Sequence, residues 1–167
     1  MNRKIKILIA ISSILLIVII AFITIKGEVF RTKQEILVKA FPANIMDLLN
    51  NEEYIDLQYN ISSISSQDVH ISDDNFIIGN DIYVCVKTGE DGYTIATDVC
   101  LSPLKNKLCI KGILTSIDNN TFSVDYNIDK YFIPKGTGFS KSMDAKIVID
   151  ELRNAEIKSL VIDGKEI

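Results

Sequence analysis

The sequence predicts an all-β domain, an antiparallel barrel or sandwich with room for one short helix, preceded by one N-terminal transmembrane α-helix. Three observations predict it. Beyond Gly27, apolar residues recur at every second position rather than at helical spacing. Turn-forming clusters punctuate that region at roughly 8–14-residue intervals, close to the spacing of short strands in sandwiches and barrels. Residues 7–25 form an uninterrupted run of 19 residues without a charge, a Gly or a Pro.

That run contains fourteen Ile, Leu, Val or Phe residues. As a helix it would span roughly 28 Å, close to the ~30 Å hydrocarbon core. Its apolar side chains favour insertion by roughly 4–8 kcal/mol on helix-centre values. A cleaved signal peptide is the rival reading, but its apolar core is usually shorter and ends at small residues. Here bulky Ile25 occupies the −3 position relative to Gly27. The expectation is an uncleaved anchor with the bilayer contacted through residues 7–25. Arg3, Lys4 and Lys6 precede the run, while Lys26, Arg31 and Lys33 follow it with Glu28 and Glu35. The short, acid-free tail 1–6 is read as cytoplasmic. Residues 26–35 are then a juxtamembrane segment entering the first strand, and 36–167 an extracytoplasmic β domain.

The strands follow in order. Ile36–Lys39 leads into Phe41-Pro42, and Ala43–Leu49 has room for a helical turn. Glu53–Ile61 alternates, with Ile55, Leu57, Tyr59 and Ile61 on one face and Tyr54, Asp56, Gln58 and Asn60 on the other. The polar stretch Ser62–Asn80 reads as a long loop. Further strands are expected at Ile82–Lys87, Tyr93–Leu101, Lys107–Ser116, Thr121–Ile128, Ala145–Ile149 and Ile157–Ile162. Their separators include Gly89–Gly92, Ser102-Pro103, Asp118–Asn120 and Asp163-Gly164.

Composition excludes some functions. The 167 residues are 47% hydrophobic and 24% charged, which fits neither a disordered chain nor a multi-spanning membrane protein. Three of the 18 basic residues precede the apolar run, leaving 15 against all 22 acids, a net charge of −7. So acidic a domain is a poor partner for nucleic acid.

Two segments carry a resemblance. Leu37–Pro42, Asp47–Leu49 and Glu53-Tyr54-Ile55-Asp56-Leu57-Gln58-Tyr59 resemble the signature of the GDYXXLXY proteins, and Tyr126–Gly138 is similar to their second recurrent segment. The motif positions in this chain are Glu53, Tyr54, Leu57, Tyr59, Tyr131, Pro134 and Gly136. Glu52 and Glu53 replace the Gly and Asp of the name, Asn44–Met46 stands where Asp-Pro-Arg is common, and Lys135 replaces an acid. The resemblance implies bacterial origin, an N-terminal anchor, an extracytoplasmic domain and multi-pass membrane proteins as company. It implies no activity and no cofactor.

The residues themselves support few chemistries. Leu57 and Tyr59 read as core, whereas Tyr54 falls on the polar face, where an exposed aromatic ring is a candidate contact residue. Tyr131, Phe132 and Pro134 read as an edge strand closing the domain, with a binding lip as the alternative. Gly136 and Gly138 lack the pattern of a nucleotide loop. The single histidine, His70, excludes sites built on two histidines, and no metal site is expected. Acids at Asp73-Asp74 and Glu90-Asp91 lack calcium-loop spacing. Ser142-Met143 resembles a signal-peptidase nucleophile segment, but it sits near the C-terminus with no Pro after it.

Cys100 and Cys109 flank a connection that, as a symmetric hairpin, would place them opposite each other. A disulfide between them and two buried thiols both remain open, with Cys85 free. The expected role is non-catalytic, an accessory or interaction protein with an integral membrane or envelope partner. The alternatives are an envelope hydrolase or peptidase with an unrecognised serine site and a ligand-sensing domain.

Overall fold

The computed structural model describes residues 33–43, 54–73, 75–133, 143–162 and 164–167. The expected tail 1–6, anchor 7–25 and most of the juxtamembrane segment lie outside the described residues, as do 44–49 of the expected helical turn, Glu53, Pro134, Gly136 and Ser142. Among the described residues, no helix is long and apolar enough to cross a membrane.

Among the described residues, twelve strands form two curled six-stranded sheets. In chain order they are β1 (Gln34–Pro42), β2 (Tyr54–Tyr59), β3 (Ser63–Ser65), β4 (His70–Ile71), β5 (Asp81–Thr88), β6 (Thr94–Cys100), β7 (Leu108–Asp118), β8 (Thr121–Asp125), β9 (Lys130–Phe132), β10 (Met143–Ile149), β11 (Ala155–Ile162) and β12 (Lys165–Glu166). The first sheet has the order β12-β11-β10-β1-β2-β9 and the second β3-β8-β7-β5-β6-β4. Every pairing is antiparallel except β4 with β6. Alternate residues of both sheets enter one core, including Val38, Ile55 and Ile147 from the first and Val84, Ile110 and Leu114 from the second.

The two sheets are joined by a single bent ribbon. Strands β2 and β3 follow each other along one side, and β8 and β9 return along the other. Tyr54 stands opposite Phe132 at one end and Ser65 opposite Thr121 at the other, eleven residues apart on each strand, so one register runs through the bend. Within the bend, Val124 N–H donates to the Ser62 carbonyl at 2.9 Å and Leu57 N–H to Asp129 at 2.5 Å. Two buried hydroxyls close the gap: Tyr59 donates to the Ile128 carbonyl at 2.5 Å, and Tyr126 to Ile61 at 2.7 Å. Burial pushes both phenols well above their usual range, with the Asp129 charge adding to the effect at Tyr59. Asn60 fastens the same bend to its surroundings. Its side chain accepts from Lys39 N–H on β1 and donates to the Thr94 carbonyl on β6.

The bend also explains a glycine inside a strand. A Cβ on Gly112 of β7 would lie 2.5 Å from Val124 Cγ1, 2.9 Å from the Asp125 carbonyl and 3.1 Å from Tyr126 Cδ1. Only a residue without a side chain lets the ribbon pass so closely.

Most expected strands are present within one or two residues. The loop expected over Ser62–Asn80 contains β3 and β4, which alternation could not reveal because each buries one residue or none. The strand expected through Ile128 stops at Asp125, where the chain turns into the bend. At the C-terminus, β12 follows a turn at Gly164 with φ of 78°.

We expect Tyr59→Phe and Tyr126→Phe each to cost about 1–2 kcal/mol in urea denaturation, since each strands a buried carbonyl. Gly112→Ala should cost about 1–3 kcal/mol through overpacking under the ribbon.

Candidate functional site

Strand β2 shows why one segment serves both core and surface. Ile55, Leu57 and Tyr59 point inward and are buried, whereas Tyr54, Asp56 and Gln58 point outward. Tyr54 is 59% exposed and Phe132, opposite it on β9, is 51% exposed. Their rings meet edge to face at 5.5 Å, an arrangement that aromatic quadrupoles favour. Next to Phe132 on β9 and opposite Ile55, Tyr131 packs against the core and its hydroxyl donates to the Ile167 carbonyl at 2.9 Å. Tyr131 is therefore a structural tie to the C-terminus.

One outward position along β2 from Tyr54, the bend of the ribbon forms an open groove of about 460 Å³. Asp56 and Gln58 line it from β2, Ser63 from β3, Ser123 and Asp125 from β8, and Asp129 from the link to β9. Asp125 accepts the Asn127 N–H at 2.7 Å, which holds the turn where Asn127 has φ of 56°. The groove offers three carboxylates, hydroxyls and an amide beside an aromatic pair, suited to polar contacts and ring stacking. Among the described residues, no group of three His, Cys, Asp or Glu side chains could hold a metal ion.

The remaining sequence candidates lie elsewhere. His70 stands on β4 opposite Asp98 of β6. The Asp98 carboxylate is buried and accepts from Lys107 Nζ at 2.8 and 2.9 Å and from the Thr97 hydroxyl at 2.7 Å. Burial works against its charge, but those hydrogen bonds and the Lys107 ammonium outweigh it, so its pKa is lowered. This acid holds a loop in place, with its side-chain hydrogen bonds going to Lys107 and Thr97.

The Cys100–Cys109 disulfide, one of the two readings left open, is corrected, as is the free Cys85. The structure bonds Cys85 to Cys109, with an S–S distance of 2.02 Å, and leaves Cys100 as a buried thiol. The hairpin assumption fails because β6 and β7 are not neighbours. Both pair with β5, so their connection steps across that strand and Cys85 comes to lie between the other two cysteines.

Sequence reasoning missed the groove, because Asp56 and Asp129 meet only through the ribbon register. A local signal was present in Asp125-Tyr126-Asn127-Ile128-Asp129, where polar residues, two of them acids, alternate with residues that turn inward. The Tyr126 clasp has no sequence signal of its own.

Fold and site together define an all-β domain of two curled sheets, with an exposed aromatic pair and an acidic groove along the ribbon that joins them. The chain belongs to the GDYXXLXY family, whose model matches residues 15–150. No curated protein and no solved structure matches it. Of the motif residues in this chain, Tyr54 lies at the surface, Leu57 fills the core, and Tyr59 fills the core and clasps the bend.

The Asp98–Lys107 pair has an unequal exposure, 4% for the acid's side chain and 49% for the lysine's. Lys107→Met should therefore cost more than Asp98→Asn, about 2–3 kcal/mol, because it leaves the buried charge with Thr97 as its one remaining side-chain hydrogen bond. The pH dependence follows. Asp98 has a depressed folded pKa, so its stabilisation is present above the ordinary value of 3.8 and is lost as pH falls through the lower folded value. Denaturation midpoints measured between pH 6 and pH 2 should show that loss in the wild type. In Lys107→Met it should shrink or reverse, since burial then favours the protonated acid.

Proposed function

We propose that this chain is a single-pass membrane protein with a non-catalytic β domain that docks an integral membrane or envelope protein through Tyr54 and Phe132. In this reading residues 7–25 anchor it, residues 1–6 are cytoplasmic and the β domain lies outside. The observation that carries the contact is the edge-to-face pair of half-exposed rings on the outer face of β2 and β9. Two large rings already held against each other lose little freedom when a partner covers them, which is why aromatic residues dominate contact energies. The uncharged 19-residue run supports the anchor.

The test is recovery of the tagged full-length protein from its own membranes in mild detergent. One multi-pass protein should accompany it in near-equal amount. Tyr54→Ala and Phe132→Ala should each lower that recovery about tenfold or more, equivalent to at least ~1.4 kcal/mol. Ile78→Ala, at another exposed apolar position, should leave recovery unchanged. Recovery of the protein alone, or a partner retained by both aromatic variants, would reject the reading.

A further inference from the structure

Three sulfurs converge on the outer face of the second sheet, apart from the main core. Cys85, Cys100 and Cys109 are all buried, packed with Tyr83 and Leu104. Cys85 occupies the middle strand, bonded on one side to Cys109 of β7. On its other side, Cys100 Sγ of β6 stands 3.9 Å from Cys85 Sγ. We propose that this cluster is an internal thiol–disulfide exchange centre, in which the cross-link passes between Cys85–Cys109 and Cys85–Cys100.

The strand order supplies the geometry. In exchange, a thiolate attacks one sulfur of a disulfide while the other leaves as thiolate. Here the attacking and leaving residues lie on opposite flanks of the central strand. Cys100 gives up its proton and forms a bond to Cys85 Sγ; the bond from Cys85 to Cys109 breaks; Cys109 leaves as thiolate and takes a proton. Oxidation level is unchanged, so no outside oxidant or reductant enters. The result moves a covalent tie from the β5–β7 pair to the β5–β6 pair.

The surroundings make the exchange slow and shielded. The link between β6 and β7 crosses above the sulfurs, pinned at one end by Leu101 N–H on Asp73 at 2.7 Å and at the other by Lys107 on Asp98. Burial raises the pKa of the Cys100 thiol, and the Asp73 and Asp98 charges raise it further against backbone donors at Leu104 and Ser102. Lys107 answers the Asp98 charge, and His70 faces Asp98 from β4. Exchange should therefore quicken as pH rises toward that raised value, about tenfold per unit while the thiolate is scarce.

The experiment maps disulfides in the full-length protein in detergent, by acid quenching, alkylation under denaturing conditions and peptide mass analysis without reduction. With each variant exposed to diamide as the two-electron oxidant, Cys100→Ser should hold Cys85–Cys109, and Cys109→Ser should form Cys85–Cys100. Cys85→Ser should leave two free thiols, because β5 keeps the flanking strands about 9–10 Å apart, beyond disulfide reach. Wild type incubated at pH 9 should accumulate Cys85–Cys100 with Cys109 alkylated, faster than at pH 7. Two free thiols in Cys109→Ser would overturn the proposal, as would a Cys100–Cys109 bond in Cys85→Ser. So would wild type that keeps only Cys85–Cys109 at pH 9 while Cys109→Ser holds the alternative bond.

Discussion

A ribbon that leaves one sheet and enters another must bend, and at the bend its carbonyls turn away from the partners that a flat ladder would supply. A buried carbonyl without a donor costs about 1–3 kcal/mol. In this chain the demand is met by side chains from the bend itself. Tyr59 donates across to Ile128 and Tyr126 donates back to Ile61, so each strand supplies the hydroxyl that the other requires. Among the described residues, every buried side-chain nitrogen and oxygen has a hydrogen-bond partner. The single register from Tyr54–Phe132 to Ser65–Thr121 depends on this closure, and so does the union of both sheets over one core.

Much of this architecture was legible in local pattern. Alternation placed β2, β5, β6, β7, β10 and β11 and assigned the inward faces of Leu57 and Tyr59, because period two reports directly which side of a pleat meets the core. What alternation cannot report is which strand lies beside which. Cys100 and Cys109 looked like hairpin partners, yet β5 pairs with both of their strands and takes the position between them. The short strands β3 and β4 were illegible for a related reason. Ser63-Ile64-Ser65 and His70-Ile71 carry too few apolar residues to show a period, and they exist through pairing with β8 and β6.

The candidate site divides along the same line. Tyr54 was readable as an outward residue from β2 alone. Phe132 became its partner only through the ribbon register, and the groove acids Asp56, Asp125 and Asp129 meet only because the ribbon bends. Gly112 illustrates the point most sharply. Within β7 it looks like a weak spot, since glycine packs nothing in a strand. In the fold it is the clearance under Val124 and Tyr126 that lets the bend sit close to the sheet.

The pleat also separates the two roles of β2. Core packing and the clasp use Ile55, Leu57 and Tyr59, all inward; the aromatic pair uses Tyr54, outward, and the groove draws on both sets, Asp56 and Gln58 from the outer face and Leu57 and Tyr59 at the bend. A change at Tyr54 therefore alters the surface without opening a cavity, whereas a change at Leu57 or Tyr59 disturbs the core and with it the presentation of everything outside. The second sheet repeats the arrangement. Val84 and Ile110 face the core, while Cys85, Cys100 and Cys109 form a buried layer on the outer side under the link from β6 to β7. That link is fixed by carboxylates at both ends, Asp73 and Asp98. The sulfurs are consequently shielded by a cover of loop and ion pair rather than by the core, which leaves their chemistry separable from the packing that holds the domain together.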